Sequence, residues 1–326
     1  MSIPYRFMPW ARRGLARSHQ NVDSPNAILA VRSKVNVGLT LQAKQDGKPV
    51  RDVLGNINLT LYGPGDVIGI DPRLIVRTDP KPNITNFEPN YLAVIDFDPP
   101  DFPWLLTPAK ANGNHQLRPW LVLVVLDRSI VTTPPRVKAG QPLPSISLTA
   151  TQVVSELPDL AESWLWAHAQ AVSKVKADEA TTLAKELGQT PALNVSRLVC
   201  PRRLQPRKDY LACVVPAFEA GRVRGLGQPL PREMTNLTPA WTLAQDRELP
   251  VYYHWEFSTG PIGDIETLAR RLKTPQQYQE QYRGDTERLK QLGHIGEQPV
   301  AVDADHLLFA GQTPETTVFE GAMVSL

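Results

Sequence analysis

The chain has 326 residues, 42% of them hydrophobic and 21% charged, a balance that specifies a folded protein and excludes the low-hydropathy, high-charge signature of disorder. Its 35 basic and 33 acidic side chains nearly cancel, so no whole-molecule field steers it to nucleic acid or an anionic membrane, and any basic site must be local. The longest apolar run, Trp120 to Leu126, falls far short of the roughly 20 residues a membrane-spanning helix needs, and with no secretory h-region and only two cysteines the expected compartment is a reducing cytoplasm.

The length suits two modest domains. The patterns divide the chain into an N-terminal arm over 1–20, a β-rich domain over 21–150, and a mixed α+β part over 151–326 with a docking C-terminal tail. The expected fold class is therefore α+β, with proline-rich irregular segments in the N-terminal domain. Proline occupies 31 positions, nearly twice its ordinary share; because it fixes φ and removes a donor, many extended connections and few long elements follow.

The arm is basic and acid-free, carrying Tyr5, Phe7, Pro9, Trp10, Arg12, Arg13 and Arg17. Trp and Arg are enriched at binding hot spots, which points to docking on another subunit. Folding back onto its own domain is the competing reading, and the Arg-rich composition also fits an organellar transit peptide. Val31, Val35, Val37, Leu39 and Leu41 then alternate with mostly polar residues, and Ile57, Leu59 and Leu61 repeat the pattern. Period 2 means strands, and Asp46-Gly47 between them suits an antiparallel ribbon, although the intervening segment is longer than a tight hairpin requires.

From Tyr62 to Pro108 the chain is crowded with Gly, Pro, Asp and Asn and reads as ordered irregular structure with one short strand, Tyr91 to Phe97. Trp120 to Leu126 is a continuous apolar run, expected as a strand buried on both faces. After Pro158, residues Leu160, Ala161, Trp164, Leu165, His168, Ala171, Val172 and Val175 recur at three- and four-residue intervals, predicting an amphipathic helix. Trp166 would lie roughly 200° from Trp164 on that helix and would need a second partner surface. A further helix is expected over Asp178 to Leu187. Val195 to Cys200 and Tyr210 to Val215 are expected as two strands joined by the basic loop Pro201 to Asp209. Leu249 to Phe257 alternates as another strand, Asp264 caps a helix through Leu272, a helix is plausible within Gln276 to Leu292, and Thr317 to Leu326 suits a terminal strand.

Each chemistry-bearing motif competes with a plainer reading. Gly63-Pro64-Gly65-Asp66 follows a strand, but Pro64 supplies no phosphate-binding N–H and Asp71-Pro72 falls where a helix should propagate, so a structural turn is expected. His254 and Glu256 share one strand face, with Asp264 nearby; a metal site or acid–base pair is conceivable there, but no HExxH or CxxC spacing accompanies them. His168 is expected as a hydrogen-bonded core histidine. Cys200 and Cys213 are placed to face each other across a hairpin, more simply as two buried thiols than as a bridge. Arg202, Arg203, Arg207 and Lys208 form a positive loop without interleaved aromatics, expected to be solvated or paired with acidic groups on a neighbour. Asp96, Asp98 and Asp101 around Pro99-Pro100 match no calcium loop and read as a turn.

Several strings are together similar to a family of bacterial proteins encoded beside phage-tail-like contractile injection systems. They are Phe7-Met8-Pro9-Trp10-Ala11-Arg12-Arg13-Gly14, Leu61-Tyr62-Gly63-Pro64-Gly65-Asp66-Val67, Ile75-Val76-Arg77-Thr78-Asp79-Pro80, Phe87-Glu88-Pro89-Asn90-Tyr91, Asp101-Phe102-Pro103-Trp104, Leu157-Pro158-Asp159-Leu160-Ala161-Glu162-Ser163-Trp164, Cys200-Pro201-Arg202-Arg203-Leu204, Val215-Pro216-Ala217-Phe218-Glu219 and Tyr253-His254-Trp255-Glu256-Phe257. They span nearly the whole chain, with Met8 and the loop from Asn112 to Gln116 as local departures.

The resemblance implies a structural, non-enzymatic subunit of the particle, at the baseplate or an accessory layer and otherwise at the cap. The implied partners are baseplate, sheath or tube proteins in a symmetric multi-copy assembly, with no nucleic acid and membrane contact only through the assembled particle. It implies no catalytic residue, cofactor or metal. Taken with the residue-level reading, the candidate partner-binding residues are Phe7, Pro9, Trp10, Arg12, Arg13, Phe87, Tyr91, Phe102, Trp104 and Trp166. Two other classes remain open on the sequence: a hydrolase or metal enzyme centred on His254, Glu256 and Asp264, and a module that targets a surface glycan or membrane through exposed rings.

Overall fold

The computed structural model describes residues 5–8, 34–111, 116–172, 194–231, 234, 237–261, 280–281, 283–284, 297–300 and 317–320. The chain divides into two compact units, Met1–Pro261 and Ile262–Leu326. The first contains strands β1 (Tyr5–Met8), β2 (Lys34–Gln45), β3 (Lys48–Thr60), β4 (Ile75–Asp79), β5 (Val94–Phe97), β6 (Leu121–Asp127), β7 (Ser145–Leu148), β8 (Ala167–Val172), β9 (Val195–Val199), β10 (Asp209–Pro216), β11 (Arg247–Pro250) and β12 (Tyr253–Ser258). It also contains helices α1 (Ala150–Glu156) and α2 (Glu219–Gly225). The fold is α+β and dominated by strands.

The continuous apolar runs lie at the centre. Every residue of β6 is buried, as is every residue of β10 after Asp209, and the two pair antiparallel from Tyr210↔Asp127 to Pro216↔Leu121. With β12 on the other side of β10 they form a three-stranded sheet in the order β12-β10-β6. A second, five-stranded antiparallel sheet has the order β1-β8-β9-β5-β4. Its Ile95, Phe97, Ala167, Ala169 and Leu198 are wholly buried and belong to the same core cluster as β6 and β10. A short pair, β7 and β11, completes the layer beside α1.

Rings fill the core, and their polar edges are met by irregular backbone. Phe102 lies 4.6 Å from Phe97 and 5.7 Å from Trp120, and Trp120 lies 5.4 Å from Tyr252. The Trp120 indole donates to Phe102 O (2.8 Å) and the Trp104 indole to Leu117 O (3.0 Å). The proline-rich loops are therefore fixed from inside, because a buried indole N–H and a buried loop carbonyl satisfy each other.

The two helices owe their starts to local chemistry. Thr149 and Gln152 exchange side-chain and backbone hydrogen bonds across the first turn of α1, a capping box. In α2, Gly221 and Gly225 permit close approach: a Cβ on Gly225 would lie 2.6 Å from Pro250 Cγ, and one on Gly221 2.8 Å from Pro216 Cβ.

Several expectations are corrected. The amphipathic helix from Leu160 does not form; Asp159 caps a 3-10 segment, Leu160–Trp166, and the chain then becomes β8. The three- and four-residue recurrence through His168, Ala171 and Val172 competes with a period of 2 at Ala167, Ala169 and Ala171, and the slot between β1 and β9 supplies the hydrogen-bond partners that decide for strand. No domain boundary falls at 150, because the five-stranded sheet joins β4 and β5 to β8 and β9. The strands on either side of the basic loop are present but do not form a hairpin: β9 belongs to the five-stranded sheet and β10 to the three-stranded one. The alternating run from Leu249 is broken at Val251-Tyr252, where the chain passes from β11 to β12 and so changes sheet. Conversely, β2 and β3 extend all the way to a two-residue turn at Asp46-Gly47, tighter than the apolar spacing suggested. Both turn residues have positive φ, 52° and 76°, as the hairpin turn that matches strand twist requires.

In the second unit β13 (Glu297–Val300) pairs antiparallel with β14 (Thr317–Glu320), so the expected terminal strand forms. The helices expected over Asp178 to Leu187 and from Asp264 to Leu272 lie outside the described residues. Among the described residues, no helix is long and apolar enough to cross a membrane.

Candidate docking site

The structure sorts the nominated rings by burial. Phe87, Phe102, Trp104 and Trp166 are buried within the chain, so these four are corrected from partner anchors to core residues. Phe87 packs edge-on against Phe257 at 5.7 Å, and the other three sit in the same cluster. Phe87, Phe102 and Trp104 fall in the proline-rich stretch, where their rings turn inward, and Trp166, nominated from its angle on an expected helix, instead ends the 3-10 segment before β8. Tyr91 differs: it is 64% exposed and leans on the edge of Phe87 at 6.3 Å.

Phe7 lies in β1, whose backbone pairs with β8 in the register Phe7↔Gln170, so the Tyr5–Met8 portion of the arm is folded onto its own unit as a sheet edge. Pro9, Trp10, Arg12 and Arg13 lie outside the described residues.

Irregular segments and charged side chains close the edges of the central sheet. Residues 83–87 run beside β12: Asn83 N–H donates to Glu256 O, Ser258 N–H to Ile84 O, Phe87 N–H to Ser258 O and Gly260 N–H to Phe87 O, all within 3.1 Å. At the other edge, Glu156 from the end of α1 accepts the Asp127 N–H (2.8 Å) and the Arg202 guanidinium, while Arg202 also donates to Val125 O (3.2 Å) and lies over the Tyr210 ring. The Glu156 side chain is 1% exposed, which is tolerable only because a cation and a backbone donor share its oxygens.

Two of the four cations of the basic loop are paired within the chain. Arg202 pairs with Glu156, and Lys208 lies 3.3 Å from Asp127. Burial acts to raise the pKa of Asp127, but hydrogen bonds from Ser129 Oγ and N–H, with Lys208, outweigh it and hold the carboxyl below its ordinary value. Asp96, one of the three aspartates around Pro99-Pro100, accepts from Arg77 Nε (2.8 Å) and from Arg197 Nε (2.8 Å) and Nη2 (3.1 Å). Glu248 Oε1 accepts from Lys138, Ser145 and Gln141, tying β11 to the loop before β7. Each of these carboxylates acts as a strut between elements.

The catalytic alternative gains little from this geometry. His254 and Glu256 do share the outward face of β12, where Glu256 lies 3.6 Å from Arg128; burial lowers the His254 pKa by more than the Glu256 charge raises it. Asp264 lies outside the described residues. Among the described residues, no group of three or more His, Cys, Asp or Glu side chains is placed to hold a metal. His168 is half-buried on β8, and burial and then the Arg197 charge lower its pKa. Cys213 stands opposite Val124 and His254 in the sheet, not opposite Cys200, which overturns the cross-hairpin pairing. Both thiols are free and buried; burial pushes Cys200 up to about 11 and Cys213 higher still, so both are protonated and unreactive at neutral pH.

Gly63-Pro64-Gly65-Asp66 is the structural turn expected. Asp66 accepts the Gly63 N–H (2.9 Å), and Gly65 is buried against α2 with its carbonyl accepting from Arg224 Nε (2.8 Å). A half-open cleft of about 330 Å³ lies between the turn at Asp159 and the stretch around Trp241, but Asp159 there already caps Ala161 N–H (2.9 Å).

Besides Tyr91, a further exposed apolar surface was not nominated from the sequence. The ribbon β2–β3 is a sheet of its own, and its Ile57 and Leu59 are 47% and 37% exposed. Tyr62, which follows it, is exposed as well. The period-2 signal identified the strands, but the signal itself carries no mark of whether the apolar face is covered by the same chain. Compared with known proteins, the chain matches no family model, no curated protein and no solved structure.

Proposed function

We propose that the chain is a structural, non-enzymatic subunit of a phage-tail-like contractile injection particle, in the baseplate or an accessory layer around it, acting by docking to neighbouring subunits. The observation that carries the reading is the ribbon, a long two-stranded sheet outside the main core with exposed Ile57 and Leu59. An isolated two-stranded hairpin is marginal in water, so a long one with an apolar face is suited to being covered by a neighbour. The distribution of ionisable groups supports it: Asp96, Asp127, Glu156 and Glu248 are each engaged by cations that brace one element against another. The particle context comes from the resemblance of the local strings to proteins encoded beside injection systems.

Affinity isolation of the tagged full chain, followed by electron microscopy and mass spectrometry, tests the reading. Sheath, tube or baseplate proteins are expected to come with it, and particles made without the chain are expected to be incomplete. Recovery of the chain alone, together with intact and fully active particles in its absence, would refute the assignment. Normal particles that lose attachment to their target would make it a targeting module instead.

A further inference from the structure

We propose that the cleft between the turn at Asp159 and the stretch around Trp241 binds a free apolar amino acid, with its carboxylate on Arg118, its ammonium on Asp159 and its side chain on the apolar walls. The site is one for a small molecule and stands independently of the docking reading.

The walls are fixed before any ligand arrives. On one side Asp159 starts the 3-10 segment by accepting the Ala161 N–H on Oδ1 (2.9 Å), which sets the position of its carboxylate. On the other side the stretch before Trp241 is pinned to the start of α2. Phe218 and Pro239 form an antiparallel bridge, Glu219 N–H donates to Thr238 O (2.8 Å), and Ala240 N–H donates to Ala217 O (3.0 Å). The Trp241 indole donates to Pro158 O (2.9 Å), so the polar edge of that ring ties the two walls together and its apolar surface is what lines the cleft. Arg118 is steadied by Phe218, its guanidinium carbon 5.3 Å from the ring centroid.

The charges choose the ligand. A guanidinium is a planar fork that meets a carboxylate with two parallel N–H bonds. The cap occupies only Oδ1 of Asp159; among the described residues Oδ2 accepts no hydrogen bond, which suits it to a cation. A simple anion in the cleft would gain Arg118 and be repelled by Asp159, and a simple cation would meet the reverse. A zwitterion satisfies both. The body of the ligand follows from the remaining walls. Leu160, Pro239 and Leu243 line the cleft, and Leu243 is 51% exposed, so an apolar side chain laid against it removes surface of both from water. A volume of about 330 Å³ is at the lower end of ligand pockets and suits a molecule of amino-acid size.

Saturation-transfer NMR on the purified full chain tests the site, each probe being titrated between roughly 0.1 and 20 mM, the range expected of a ligand with about nine heavy atoms. Three probes share one body: L-leucine, 4-methylpentanoate, which lacks the ammonium, and 3-methylbutylamine, which lacks the carboxylate. Leucine is expected to bind at least fivefold tighter than either. Asp159→Asn is the sharper variant, because an amide oxygen caps as well as a carboxylate and the melting temperature is kept while the charge is lost. It should weaken leucine at least threefold and leave 4-methylpentanoate, relieved of a repulsion, no weaker. Arg118→Gln should weaken leucine and 4-methylpentanoate and spare the amine. The proposal is overturned by a leucine signal that does not saturate at the highest concentration, by equal affinity for the three probes, or by a folded Asp159→Asn chain that binds leucine as the wild type does. Should Arg118→Gln fail to fold, the Asp159→Asn comparison decides alone.

Discussion

The central sheet β12-β10-β6 and the ribbon β2-β3 are both antiparallel and both carry alternating or continuous Val and Leu, yet among the described residues one is closed at its edges and the other shows exposed Ile57 and Leu59. Residues 83–87 supply a backbone partner for the outer edge of β12, and Glu156 with Arg202 does the same for β6 through side chains. In the ribbon, Ile57 and Leu59 stay exposed on a face that eight apolar positions line. Apolar content alone therefore does not mark a core. What separates core from interface is whether the same chain also provides the groups that close the edges and cover the faces, and the proline-rich loops of this protein are spent on that task at the central sheet.

The sharpest way to break the contrast is to unseal the central sheet. Arg202→Ala would leave the Glu156 carboxylate buried with only the Asp127 N–H and would deprive Val125 O of its donor. Losing one partner of a buried pair costs about 3–5 kcal/mol, and urea unfolding should record it. A loss below about 1 kcal/mol would mean that the edge is not held by this pair.

Next in size is the seat of α2. Ordinarily Gly→Ala in a helix stabilises by up to about 1 kcal/mol, but at Gly225 the new Cβ would stand 2.6 Å from Pro250 Cγ, so a net loss of about 1–3 kcal/mol is expected. Gly63→Ala, where a Cβ meets nothing within 4 Å, is the control and should stay within about 0.5 kcal/mol. Equal thermal shifts for the two would remove close packing as the cause.

Smaller again is an acid effect at the end of β6. The Asp127 carboxyl is held below its ordinary value, so the unfolded chain takes up a proton first as pH falls and the native state loses the advantage. Its contribution is complete above the ordinary carboxylate pKa near 4 and disappears as pH falls through the lower folded value. Ser129→Ala removes the 2.6 Å hydroxyl donor and should reduce stability at pH 7 by about 1 kcal/mol while bringing variant and wild type together near pH 2. A difference that persists unchanged in acid would show that the hydroxyl acts through packing.

The same contrast explains what the sequence could disclose. β6 was legible because burial on both faces demands an unbroken apolar run, and the hairpin because Asp46-Gly47 supplies two residues tolerant of positive φ. The segment from Leu160 was misread because the recurrence of Leu160, Trp164, Leu165, His168 and Ala171 overlaps a period-2 run of alanines at 167, 169 and 171, and only the neighbouring strands β1 and β9 resolve the choice. The candidate site was less legible still. Phe87, Phe102, Trp104 and Trp166 have the composition of binding anchors, but a ring in a proline-rich loop serves equally to pin that loop, and its direction is set by contacts distant in sequence, such as Phe87 on Phe257. The ribbon had the opposite problem: its pattern was read correctly as strand, while the exposure of Ile57 and Leu59 depends on contacts distant in sequence that period 2 does not encode.

The least disruptive substitution separates the two regions most cleanly. Ile57→Thr keeps a β-branched side chain suited to a strand and puts a hydroxyl where Ile57 is already 47% exposed, so in dilute protein the melting free energy should change by no more than about 0.5 kcal/mol. The identical exchange at Ile95, wholly buried on β5, removes packed methyl volume and buries a hydroxyl, and a loss of about 2–3 kcal/mol is expected. The two residues are the same type in the same kind of element, so the difference between the two losses measures the covering supplied by this chain itself. Were Ile57→Thr to cost as much as the change at Ile95 at concentrations where the chain is monomeric, the ribbon face would be covered from within, and the distinction between a finished sheet and an unfinished one would fail.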